Sequence, residues 1–158
     1  MRGVYTASYR IDGLAGQGGG KTLMHLTAPA NKVDEILGVE VTNANVETNE
    51  QVELVLKRIS SLGTPTDTDL TPAPHEAGDQ AAGSSVAADV TADEPTYVAA
   101  NVGEFGRRGV STLAGWEWKP TPEERCYVGG GASIGLKMLN TDHAAFNAVV
   151  TMTFREIG

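Results

Sequence analysis

The run from Phe146 to Phe154 constrains the chain more than any other. Phe146, Ala148, Val150, Met152 and Phe154 share one parity, while Asn147, Thr151 and Thr153 occupy the other. Only a pleated strand sends residues two apart to the same face; a helix would scatter them. The rhythm recurs along the chain. Tyr5, Ala7, Tyr9 and Ile11 alternate with Thr6, Ser8 and Arg10. Met24, Leu26 and Ala28 oppose His25 and Thr27 until Pro29 stops the run. Leu37, Val39 and Val41 repeat it, as do Val86 to Thr91, Tyr97 to Val102, and Ile134, Leu136 and Met138. Val110, Thr112, Ala114, Trp116 and Trp118 share one parity and read as a single strand. Such strands are apolar on one side and must bury it against a second sheet. The expectation is all-β: about eight to ten strands in an antiparallel β-sandwich, jelly-roll-like in architecture.

Between the strands lie turn signals. Gly13 to Gly20 and Gly129 to Gly131 are glycine loops, and Asn43 to Asn49 is a polar turn. Residues 50–62 are ambiguous. Val52, Leu54 and Leu56 alternate, yet Val52, Val55, Leu56, Ile59 and Leu62 also draw a helical stripe, with Thr48 and Gln51 placed for a capping box. The strands on both sides favour a strand. Thr64 to Gly83, with Pro65, Pro72, Pro74 and Gly78, reads as one long irregular loop. Loops of that length inside a compact domain are usually functional or interface-forming.

At 158 residues the chain suits a single domain, 1–158, able to bury about 70% of its unfolded surface. Twelve basic and 20 acidic residues give a net charge of −8. That disfavours nucleic acid, which requires a basic surface, and gives no attraction to anionic membranes. No Lys or Arg falls between Arg58 and Arg107, an interval holding Asp67, Asp69, Glu76, Asp79, Asp89, Asp93, Glu94 and Glu104. The excess reads as a solvated face or as a docking surface for a basic partner. Cys126 is alone, and no His/Cys cluster has zinc spacing. Met1 to Arg10 lacks a signal-peptide core, and no apolar run reaches the length of a membrane span.

Several motifs tempt and fail. Gly16-Gln-Gly-Gly-Gly-Lys21-Thr22 resembles a phosphate loop, but the motif's first glycine is replaced by Ala15 and a strand-like run follows instead of a helix. Gly131-Ala-Ser133-Ile-Gly135 matches the nucleophile elbow in letters, with Asp142 and His143 downstream. An elbow needs a helix after the serine, and here Leu136 to Met138 continues a strand. His25, His75 and His143 are scattered and read as surface or loop residues. Asp67, Asp69 and Asp79 lack calcium-loop spacing, and adjacent Glu123 and Glu124 do not make a glycosidase pair. No catalytic residue, metal or cofactor is expected. Trp116 and Trp118 project from one face and form either a buried core stripe or, if exposed, a sugar-stacking or subunit-anchoring pair.

An ordered series of short pieces resembles a group of phage and prophage virion β-proteins. It comprises Ala28-Pro-Ala30, Val41-Thr42, Leu62-Gly-Thr-Pro-Thr66, Leu70-Thr-Pro-Ala-Pro74, Gly78-Asp79 and Asp93-Glu-Pro-Thr-Tyr97. Gly115-Trp-Glu-Trp118, Pro122-Glu-Glu124, Gly135-Leu-Lys137 and Phe154-Arg-Glu-Ile-Gly158 complete it. The chain departs from the pattern at Gly16 to Gly20 and Gly129 to Gly131, where it is richer in glycine. The resemblance implies a non-enzymatic head decoration, or cement, protein on the capsid surface. It would be made in the host cytoplasm, bind the major capsid protein and self-associate as a trimer or other homo-oligomer. A carbohydrate- or receptor-binding module of a tail or fibre, using the two tryptophans, is the alternative. Candidate interface residues are Thr64, Pro65, Asp67, Asp69, Pro72, Pro74, Asp79, Trp116 and Trp118.

Overall fold

A computed structural model of the chain describes all residues except 1–2, 17, 45–48, 100–101 and 140–142. The alternating runs become β1 (Gly3–Leu14), β2 (Lys21–Thr27), β3 (Val33–Asn43), β4 (Gln51–Ser61), β5 (Thr66–Leu70), β6 (Ala73–Pro74) and β7 (Ser85–Ala92). Then follow β8 (Thr96–Tyr97), β9 (Glu104–Ser111), β10 (Trp116–Trp118), a 3-10 turn (Pro122–Glu124), β11 (Tyr127–Val128), β12 (Ser133–Met138) and β13 (Phe146–Ile157).

These form two antiparallel sheets. The β1 sheet runs β10–β3–β13–β1–β6, with β11 also beside β3. The β2 sheet runs β5–β7–β2–β12–β4–β8, with β9 also beside β4. Without β5 to β8 and β11, the sheets reduce to β1–β13–β3–β10 and β2–β12–β4–β9. The chain then switches sheet at every step but one, from β4 to β9. That order is a jelly roll, in which two four-stranded sheets close over a shared core. Residues 62–103 are an insertion between β4 and β9, and they wrap the body on several sides.

Alternation explains the packing. All twelve residues of β13 alternate between buried and half-buried positions, and Phe154, Met152, Val150 and Ala148 are fully enclosed. They face Leu26, Leu54, Leu56, Ile134, Leu136 and Met138 in one continuous apolar cluster. β13 lies centrally, paired with β1 from Gly3↔Glu156 and with β3 to Val33↔Ile157. The two ends of the described chain therefore meet in the middle of a sheet.

The structure revises several expectations. Eight strands have six or more residues, and five shorter ones bring the total to thirteen among the described residues. Residues 51–61 form a strand as expected; the proposed cap at Thr48 lies outside the described residues, as does most of the Asn43–Asn49 turn. Thr64 to Gly83 is not a free loop. It contains β5 and β6, which pair with β7 and β1. The run Val110 to Trp118 is two strands in different sheets, divided at Gly115 with φ +70°. A Cβ there would also lie 2.8 Å from the Val41 carbonyl, so the corner requires glycine. Tyr97 to Val102 supplies only the end of β8, because past Tyr97 the chain leaves the sheet for a bend.

Candidate functional site

Half of the eight middle acids are tied to the body of the fold. Asp67 Oδ2 lies 2.7 Å from His25 Nε2, and Asp89 pairs with Lys21 at 2.6 Å. Glu94 accepts from the Thr22 amide at 2.9 Å and from its hydroxyl at 2.6 Å. Glu104 pairs with Arg107 at 2.7 Å and Lys57 at 3.4 Å, and hydrogen bonding from Arg107 holds its carboxyl below the ordinary range. Three of these four acids land on Lys21, Thr22 and His25 of β2. The β5–β7 register shifts between Thr66 and Thr68, where Asp67 lies. The β7 residue level with His25 is small Ala87.

Half of the middle acids are thus structural, a role outside both the solvated and the docking reading of the sequence. Sequence carried no signal for three of them, whose partners sit some forty to seventy positions away on β2. His25 is correspondingly a buried residue and not a surface one. His75 is exposed and His143 half-buried, both in connecting segments.

After β7 the chain crosses the outside of the β2 sheet as a strap. Tyr97 lies over Gly135, where a Cβ would come within 2.2 Å of the phenol oxygen. Thr22 spends its one hydroxyl proton on Glu94, so the Tyr97 phenol donates to Thr22 Oγ1 at 2.9 Å. Burial pushes the Tyr97 phenol well above its ordinary range, more than the Thr22 contact offsets.

The candidate interface residues separate clearly. Thr64, Asp69 and Pro74 are exposed; Pro65, Asp67 and Asp79 are half-buried; Pro72 is buried. Glu76, beyond β6, is exposed as well, and the tight turn from Glu76 to Asp79 closes with a 3.2 Å backbone bond. His75 from this segment forms one wall of a depression of about 430 Å³ on the outer face of the β1 sheet. Its floor is Gly38, beside a bulge in β3 opposite Thr153 and Phe154, and the hydroxyls of Thr151 and Thr153. Those hydroxyls are bonded to Ser8 at 2.9 Å and Thr6 at 3.0 Å, and Thr6 also holds His75 at 2.7 Å. Glu40, Lys119 and Arg125 complete the rim. No motif marked this depression, because it depends on a bulge and on a pairing between distant strands.

Trp116 and Trp118 do not join it. A Cβ built on Gly106 of β9 would lie 3.5 Å from the Trp118 ring and 3.7 Å from that of Trp116. The rings therefore close the sandwich between β10 and β9, Trp116 only 8% exposed and Trp118 half-buried. This is the core-stripe reading, and it leaves no stacking platform at these positions.

The apparent elbow is also dissolved. Ser133 opens β12 as a buried strand residue, with Oγ 2.7 Å from Thr27 Oγ1. His143 follows the far end of that strand, sets its ring at a tilt to Phe146 and bonds the Ala144 carbonyl at 2.9 Å; Asp142 lies outside the described residues. The glycine-lysine run leads into strand β2, and Lys21 is spent on Asp89. Cys126 is buried, and burial drives its thiol up to about 12, which leaves it inert as a nucleophile.

Comparison with protein-family models, curated proteins and solved structures returns no match for this chain.

Proposed function

We propose that this protein is a structural component of a phage virion: a decoration, or cement, subunit that docks on the assembled head and stabilises it. In this reading it is made in the host cytoplasm, binds the major capsid protein, associates with further copies of itself and carries out no reaction. The observation that carries the proposal is the stapled insertion. Contacts from Asp67, Asp89 and Glu94 to β2 tie the insertion to the jelly roll, and Asp69, Glu76 and Asp93 remain exposed on it. A surface fixed before binding loses little entropy on docking. Many copies on one particle make a modest contact per subunit sufficient. The ordered resemblance along the chain supports the same assignment.

The test is reconstitution. Purified protein is added to heads assembled without it, and bound copies per particle and the heat resistance of the heads are measured. Saturable, stoichiometric binding at high copy number with raised heat resistance is expected. Heads that bind none, or bind it without becoming more resistant, would refute the assignment.

A further inference from the structure

Among the described residues, strand β1 has one edge that is largely unpaired. On one side β13 accompanies it from Gly3 to Leu14, whereas on the other β6 covers only Tyr5 and Thr6. The His75 amide donates to the Val4 carbonyl. Even-numbered residues of β1 therefore turn their backbone groups toward the β6 side, and odd-numbered ones turn toward β13. Beyond Thr6, the amides and carbonyls of Ser8 and Arg10 continue that row with no described strand opposite them. Both residues are exposed. An unpaired row of this kind is a template for another strand.

The side chains on this edge specify the occupant. Arg10 and Asp12 stand on the outer face, 49% and 71% exposed, with Arg10 Nε donating to Asp12 Oδ1 at 2.6 Å. An edge charged with one sign would repel a second copy; this one carries both signs, two residues apart. We infer that two copies of this chain join edge to edge through β1, antiparallel about a two-fold axis at Ile11. That register sets Arg10 opposite the second copy's Asp12 and Asp12 opposite its Arg10, with the two Ile11 residues facing each other at the axis. Axes at Arg10 or at Asp12 would oppose like charges. An axis at Tyr9 would set the second copy's Asp12 against Thr6, where Ala73 of β6 already pairs. Only the Ile11 register satisfies both charge and space, and it is isologous, so it closes as a pair.

The ladder is short, because β1 bulges between Ile11 and Leu14, where Gly13 has φ +64°. A contact of this length falls below the roughly 1,000 Å² of a permanent interface. The association is therefore weak and concentration-dependent in solution, and is reinforced where copies are held close together. The inference deepens the self-association in the proposed function, and its test uses free protein without heads, so either can fail alone.

Sedimentation equilibrium is run from about 5 µM to about 500 µM, spanning the range for a weak contact, with circular dichroism confirming that each variant is folded. The wild type is expected to pass from monomer to dimer. Arg10→Asp or Asp12→Arg alone should weaken association at least about tenfold, and the combined swap should restore it. A wild type that stays monomeric, or an assembly indifferent to Arg10→Asp, overturns the inference. So does a combined swap that fails to restore the dimer.

Discussion

Ser84 sits between two buried acids and has one proton to share. Its hydroxyl lies 2.8 Å from Asp34 Oδ2 and 2.8 Å from Glu156 Oε1, and both carboxyls are sealed from water. Both contacts are satisfied only when one acid keeps its own proton. Glu156 is not that acid. Burial pushes its carboxyl up, but hydrogen bonds from Lys32 and from the Ser84 hydroxyl and amide outweigh burial and leave it below the ordinary range. Asp34 is the acid that keeps a proton, since burial raises it from 3.8 to about 6, and its Oδ1 has no partner. The sign follows from linkage. The folded protein holds this proton up to about pH 6, while the unfolded chain releases it near 3.8. The proton's contribution is full below 3.8, is lost as pH rises to about 6, and is absent above. Asp34→Asn keeps a permanent donor at this position and does not titrate. It should therefore stabilise the protein at pH 7.5 by about 1–3 kcal/mol relative to wild type, with little difference at pH 4. Thermal melts at the two pH values check this; an equal effect at both would show that Asp34 does not hold the proton.

At the scale of elements, the strap across the β2 sheet depends on an absent side chain. Gly135 has Tyr97 directly above it, pinned by Thr22, and Ile59 Cδ1 only 3.1 Å from where a Cβ would stand. Gly135→Ala should cost about 1–3 kcal/mol by overpacking. In a Tyr97→Phe background the nearest atom is gone, so the alanine should cost less, with a coupling of about 0.5–3 kcal/mol between the two sites. Urea denaturation of the four proteins measures it; strict additivity would mean that Tyr97 does not bear on Gly135. The same elements show what alternation can and cannot report. β13, β1 and β12 were legible because each buries one apolar parity against the core. β5 was hidden because Thr66, Asp67, Thr68 and Asp69 are polar on both faces, and prolines surround it. β8 and β11 are two-residue pairings created by tertiary contact, with too little sequence to carry a period. β9 and β10 merged into one apparent strand because parity is blind to a turn, and only Gly115 betrayed the corner. The depression at Gly38 had no sequence counterpart at all, since a bulge depends on the partner strand's register.

For the whole molecule, the placement of charge decides how it meets a partner. The net charge of −8 overstates what is available, because Asp67, Asp89, Glu94 and Glu104 are tied to the body. Asp69, Glu76 and Asp93 are the insertion's fully exposed acids. Docking through this surface would depend on those three and would weaken with salt, since exposed pairs are screened beyond about 10 Å at 0.1 M. Replacing Asp69 and Asp93 with Asn and Glu76 with Gln removes three negative charges, taking −8 to −5. Asp93 has φ +54°, a conformation that asparagine tolerates well. Each substitution lies on the surface and should change stability by no more than about 0.5 kcal/mol. Affinity for heads should fall about tenfold at low salt and converge with the wild type at high salt, the pattern of lost electrostatic attraction. Titration of both proteins onto heads at two ionic strengths checks this. A variant that binds as the wild type does at low salt would show that these three acids do not carry the docking.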